Sequence, residues 1–292
     1  MTVLYNTLIA PFADIDVMRR ALVATFALSF SAAPIGVFLM LRRMSLIGDA
    51  LSHAILPGTA IGFLIAGLSV FAMAGGGLIA GFLITIGAGL IARATPIKED
   101  ASLAAFFLIS LALGVVIVSA KGNDEDLVHF LFGSVMTITG SALLLIAAIA
   151  SVSLVAFALI WRPLILECVD PGFLRSVSRS GGGGAHIAFL ALVVLNLVGG
   201  FLVLGTLLAV GIMMIPAFIA RFWARDLTGM IAVAIGSAMI SGYAGLVVSH
   251  SAALPAGPTI ILTAGVLYAL SVVVGPAGGL LWLALPRRHL EA

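Results

Sequence analysis

The chain has 292 residues, 62% of them hydrophobic and only 9% charged, with a formal net charge of +2. An ordinary soluble domain is about a quarter charged, so this composition excludes a soluble fold and predicts a polytopic membrane protein. The small net charge, with basic residues at the ends of apolar runs rather than in a patch, gives no footing for nucleic acid.

A membrane helix needs about 20 apolar residues, and runs of about that length recur along the chain. They fall at about 18–41, 47–70, 71–92, 102–120, 135–160, 186–204, 205–220, 228–249 and 259–285, with Gly205 alone marking the 204/205 boundary. Their length, without strand-like alternation, excludes a β-barrel. An all-α transmembrane bundle of nine spans is expected, with eight as the alternative, forming one domain over residues 1–292. No basic leader with a small-residue cleavage pattern opens the chain, so no removable signal peptide is expected and the first span directs insertion.

With residues 161–184 in the cytoplasm, nine crossings also place Arg42, Arg43, Arg93, Lys98, Arg221, Arg225, Arg287 and Arg288 there, a strong positive-inside bias. Arg19 and Arg20 then lie outside and disagree, a conflict that a non-crossing first segment would remove. The acidic segment Asn123-Asp124-Glu125-Asp126 faces out.

The stretch Gly48-Asp49-Ala50-Leu51-Ser52-His53-Ala54-Ile55-Leu56-Pro57-Gly58 sets a carboxylate and an imidazole four residues apart within an apolar run. On a helix that spacing stacks them on one face, roughly 5–6 Å apart at Cβ. A central Asp costs about 2.5–3.5 kcal/mol on insertion scales, so an ionisable pair there points to a functional site. Pro57 has no N–H for the His53 carbonyl, and interrupted helices with loose carbonyls hold ions in transporters. Ala50, Ala54, Gly58, Gly62 and Ala66 form a neighbouring stripe of small residues that lets another helix approach closely. One reading is that Asp49 and His53 merely satisfy each other within a buried helix contact. The other is metal binding: Asp with His suits zinc or manganese. One Asp and one His do not complete a tetrahedral site, whereas two copies across a two-fold axis supply four ligands.

The longer polar stretch, about 162–184, contains Asp170-Pro171-Gly172-Phe173-Leu174-Arg175 and ends in Gly181 to Gly184. Asp before Pro reads as an N-cap with Pro at the first helical position, predicting a short exposed helix; a plain connecting loop is the alternative. His250, near an outer boundary, and His129, beside Asp124, Glu125 and Asp126, are weaker metal candidates. Met213 and Met214 read as packing, and Pro34 and Pro216 as kinks. Cys168 is the only cysteine, so no internal disulfide or thiolate cluster forms.

Enzyme signatures are missing. There is no phosphate-binding Gly-x-x-x-x-Gly-Lys-Ser/Thr and no His-Glu-x-x-His. Residues 87–92 fit a dinucleotide fingerprint only formally, without a βαβ unit.

The stretch from Leu41 to Gly58, LRRMSLIGDALSHAILPG, resembles the most recognisable segment of the membrane permeases of ATP-binding-cassette importers for zinc and manganese. Further similarities are Ile97-Lys98-Glu99-Asp100, Asp126-Leu127-Val128-His129-Phe130-Leu131-Phe132-Gly133, Ile215-Pro216-Ala217 and Leu254-Pro255-Ala256-Gly257-Pro258-Thr259-Ile260. The family often has Asp shortly before its Pro-Ser-Gly-Pro turn, where this chain has Ala253. The resemblance implies a permease with a type II importer fold in the bacterial cytoplasmic (inner) membrane. It is not itself an enzyme: two copies pair with two cytoplasmic ATPase subunits and receive metal from an extracytoplasmic binding protein. It also implies that Asp49 and His53 match the family's metal-pathway residues, and that the segment with Asp170, Pro171, Gly172 and Arg175 docks on the ATPase. No cofactor is held permanently; the metal is cargo, with zinc favoured over manganese. The rivals are a proton-coupled secondary transporter and a membrane enzyme or scaffold.

Overall fold

The structure, a computed structural model, describes residue 5, residues 8–67, 69–97, 99–119 and 138–170, residue 173 and residues 183–284. Every regular element among them is a helix, as expected where lipid offers the backbone no partner and each N–H must be satisfied within its own segment. In order these are α1 (Ala10–Asp14), α2 (Asp16–Leu41), α3 (Ser45–Ala54), α4 (Leu56–Ala66), α5 (Val70–Ala94), α6 (Glu99–Ser119), α7 (Gly140–Val169), α8 (Gly183–Leu204), α9 (Thr206–Trp223), α10 (Leu227–Ala252), α11 (Ala256–Val274) and α12 (Leu280–Ala284).

Eight stretches are long and apolar enough to cross a membrane, α3 and α4 together forming one of them, Ser45–Ala66. A shorter apolar stretch, Ala101–Ile117, lies within α6. The first segment qualifies as a span over Asp16–Leu41, so its length and composition do not support a non-crossing start. Arg19 and Arg20 both pair with Asp16, which offsets part of the charge that conflicted with the orientation. Arg20 Nη1 also donates to the Ile138 carbonyl at 3.3 Å, so α2 and α7 begin at the same end of the bundle.

The core is built around α2, which packs on α7, α8, α9 and α10. Leu28, Ile35 and Phe38 of α2 and Phe189 and Leu197 of α8 are buried, whereas α5, α7 and α11 turn most of their surface outward. Phe38 sits against Phe157, Trp161 and Phe189 at centroid distances of 5.3, 5.7 and 6.4 Å, tying α2, α7 and α8 together. Such inclined ring pairs use the aromatic quadrupole as well as area.

Small residues set two further features. A Cβ on Gly58 would strike the Gly76 carbonyl, and one on Gly62 would lie 2.5 Å from the Ala72 carbonyl, so α4 and α5 meet backbone to backbone. Lipid supplies no hydrophobic drive between helices, and close packing takes its place. Gly205 alone joins α8 to α9, at φ 91° and ψ 160°, a conformation open to glycine.

Both ends of the polar stretch 162–184 are helical. Residues 162–169 remain helical through Pro163, and α8 has begun by Gly183. With 30 residues, α7 spans roughly 45 Å against a hydrocarbon thickness of about 30 Å, so its polar end projects beyond the membrane. Arg and Glu are good helix formers in water, which is why polarity does not mark the helix end.

Candidate functional site

The helix with the ionisable pair starts from a tight turn. The α2 C-terminus closes as a Schellman motif: the Met44 N–H bonds the Leu39 carbonyl at 2.9 Å and the Arg43 N–H bonds Met40 at 3.0 Å. Arg43 takes the left-handed position at φ 59°, where glycine is usual and a side chain costs roughly 1–2 kcal/mol. The three residues 42–44 thus fix how α3 leaves α2. From there α3 packs on α6, α8 and α9.

Asp49 and His53 lie on one face of α3, as their spacing predicts. His53 Nε2 is 3.9 Å from Asp49 Oδ1, beyond the 2.7–3.2 Å range of a hydrogen bond. The Asp49 side chain is 64% exposed and that of His53 27%. His53 Nδ1 is buried with no hydrogen-bond partner among the described residues, and its ring leans on Phe107 of α6 at 5.6 Å. The pair is therefore not bonded to itself, and Asp49 keeps its carboxylate open. The Ser52 hydroxyl is engaged with the helix, donating to the Asp49 carbonyl at 2.7 Å. Along the axis His53 is about 12 Å from Ser45, in the cytoplasmic half of the span by the positive-inside orientation.

The interruption associated with Pro57 falls at Ile55. That residue keeps near-helical angles, φ −77° and ψ −14°; its N–H bonds Leu51 at 3.2 Å and its carbonyl accepts from the Thr59 N–H at 3.1 Å. The break is a bend between two helices rather than an unwound stretch. Beside it, Pro57, Gly58, Gly62, Gly76, Ser110 and Leu113 line a cavity of about 560 Å³ between α4, α5 and α6. Its walls offer no metal donor apart from the Ser110 hydroxyl.

Among the described residues no group of three or more His, Cys, Asp or Glu is placed to hold a metal, so Asp49 and His53 remain a two-donor set. His250 is exposed in the last turn of α10. Earlier in α10 the Tyr243 hydroxyl donates to the Leu8 carbonyl at 2.8 Å, so that turn lies towards the end of the bundle where α2 starts, beside Ala253 at φ 52°. His129, Pro171, Gly172 and Arg175 lie outside the described residues. Asp170 ends α7, and its Oδ1 accepts from the Phe173 N–H at 2.9 Å, the bond an N-cap makes to the third helical residue. Met213 and Met214 are buried in α9; a Cβ on Gly48 would lie 2.8 Å from Met213 Cε, so these methionines pack against α3.

One cluster is absent from the sequence reading. Arg42 Nη2 donates to Glu167 Oε1 at 2.8 Å and to His186 Nδ1, which lies 3.4 Å from the same carboxylate oxygen. The guanidinium also covers the Phe189 ring at 5.0 Å. Arg42 reads in sequence as a topology marker, yet its side chain is 9% exposed. Its partners lie 125 and 144 residues away, and the only sequence signal is polar residues at the ends of three apolar runs.

The comparisons agree with this architecture. The ABC-3 profile, described as the ABC 3 transport family, matches residues 14–275. The chain is 30% identical over 264 residues to the manganese import system permease protein ScaB of Streptococcus parasanguinis, covering 89% of this chain and 91% of the relative. It is 31% identical over 267 residues to the manganese transport system membrane protein MntC of Halalkalibacterium halodurans, covering 90% and 89%. The solved structure of PsaBC from Streptococcus pneumoniae in complex with Fab superposes with a TM-score of 0.82 at 26% identity, over 92% of this chain and 96% of that one. With its all-helical bundle and eight apolar spans, the chain belongs to the ABC 3 transport family and is a multi-pass permease of the bacterial inner membrane.

Proposed function

We propose that the chain carries manganese through an ATP-driven importer, and that Asp49 and His53 act as half of a transient ion site. The observation behind this reading is the pair itself: two metal donors on one helix face, 3.9 Å apart, unbonded to each other, with Asp49 open. A second copy across a two-fold axis, or water, supplies the remaining ligands. A transport path must also release its ion, and an incomplete ligand set binds weakly enough to do so.

Manganese replaces zinc as the leading cargo. The preference for zinc rested on imidazole with carboxylate, but carboxylate and water suit manganese equally. The relatives at 30% and 31% identity are named for manganese. The partners follow from the importer class: an ATPase chain docking on the segment after Asp170 and an extracytoplasmic protein delivering the ion. ATP binding moves that segment and opens the Asp49/His53 path to one side at a time. The permease itself makes and breaks no covalent bond.

The test is manganese and zinc uptake into vesicles holding the permease with its ATPase and binding protein, comparing wild type with Asp49→Ala and His53→Ala. Loss of manganese uptake in both variants supports the site. Unchanged uptake in both removes it, preferential zinc uptake by the wild type returns the cargo to zinc, and uptake without an ATPase removes the importer class in favour of a proton-coupled carrier.

A further inference from the structure

The cluster of Arg42, Glu167 and His186 lies where three chain segments converge. Arg42 caps α2 and is joined through Arg43 and Met44 to α3, the helix of Asp49 and His53. Glu167 is three residues before Asp170, on the stem that enters the polar segment. His186 is three residues past Gly183, on the stem that leaves it. Both stems are thus bonded to one guanidinium at the foot of the metal helix.

The chemistry of the cluster is that of a fastener rather than a binding site. A guanidinium only donates, so in the Arg42 contact His186 Nδ1 presents its lone pair. Arg42 and Glu167 then cancel in charge, with side chains 9% and 13% exposed and His186 at 17%. The position between Glu167 and His186 that a cation would seek is already filled by Arg42. Arg42 Nη1 and Glu167 Oε2 are buried without hydrogen-bond partners among the described residues, so the three groups are held by surrounding packing rather than by solvent. The left-handed Arg43 locks the turn that connects this fastener to α3.

We propose that Arg42, Glu167 and His186 are positioning residues that transmit movement of the polar segment to the Asp49/His53 helix. When an ATPase displaces the segment, both stems pull on Arg42, and the closed turn at residues 42–44 passes that displacement to α3. The device rests on the importer reading above. It predicts that breaking one stem leaves ATP hydrolysis running while less metal moves per ATP.

The test uses the full transporter, permease with ATPase and binding protein, in vesicles, and measures manganese uptake and ATP hydrolysis on the same samples. Glu167→Gln strands a buried guanidinium and endangers folding, so His186 carries the test. His186→Leu keeps the Arg42–Glu167 pair and frees only the α8 stem. It is expected to keep hydrolysis near wild type and lower uptake per ATP roughly tenfold, within the usual range for coupling between sites. His186→Gln restores an acceptor oxygen for Arg42 and is expected to recover most of the ratio. A merely structural role would lower both rates together and leave the ratio unchanged, and that result overturns the proposal. So does a His186→Leu ratio equal to wild type in a transporter that is ATP-driven. Wild-type uptake that needs no ATPase overturns the importer reading and the proposal with it.

Discussion

Two polar clusters flank the start of α3, and they solve the problem of charge in an apolar chain in opposite ways. At the foot, Arg42 is closed in by Glu167, His186 and Phe189, with charge matched to charge. Two turns further on, Asp49 and His53 stand unbonded at 3.9 Å with the carboxylate open. Burying an ion is tolerated only when its partners are supplied. The closed cluster has its opposite charge within the chain, whereas Asp49 and His53 are not bonded to each other. The contrast is between a cluster closed by its own charges and a pair left open, which the proposed function reads as passing an ion.

Perturbing each cluster should give opposite signatures. Glu167→Gln should show the largest effect on stability: removing one partner of a buried pair costs about 3–5 kcal/mol, seen as a lower unfolding midpoint of the detergent-solubilised permease. A midpoint equal to wild type would mean the cluster is not a fastener. Asp49→Ala, at an exposed site, should do the reverse, leaving stability within about 0.5 kcal/mol of wild type, and His53→Ala, which removes a ring packed on Phe107, should cost about 1 kcal/mol. Their manganese uptake should fall by about 100-fold or more, the upper end of what losing even an outer metal partner costs.

Smaller effects sharpen the contrast between the framework and the pair it carries. Gly58→Leu pushes a side chain into the Gly76 backbone and should destabilise by about 1–3 kcal/mol, read in the same unfolding assay. A neutral result would show that α4 and α5 are free to separate. Asp170→Ala removes the acceptor for the Phe173 N–H. It should cost about 1 kcal/mol locally, measured as faster amide exchange just after residue 170. Arg43→Gly should have the least effect: relief of the left-handed strain is offset by glycine's greater freedom in the unfolded chain, leaving a net change within about 1 kcal/mol.

Several features were legible because they are local. Four-residue spacing put Asp49 and His53 on one face, Gly205 marked a reversal that only its missing side chain allows, and Asp170 before Pro171 announced a cap. Pro57 marked the neighbourhood of the bend but not its nature, since whether the chain unwinds or bends at Ile55 depends on the helices packed around it. The end of α7 was not legible, because a helix leaving the membrane loses its apolar signal without losing its hydrogen bonds.

Apolar run length and the exclusion of charge therefore determined by themselves the helical class, most of the spans and the candidate metal donors, because lipid forces each segment to satisfy its backbone alone. Tertiary structure decided which small residues touch, as Gly58 meets Gly76, and which charges are buried. Arg42 finds Glu167 and His186 only after more than a hundred residues of chain have folded back. No local periodicity records a contact across that separation; packing of α2, α7 and α8 around Phe38 creates it.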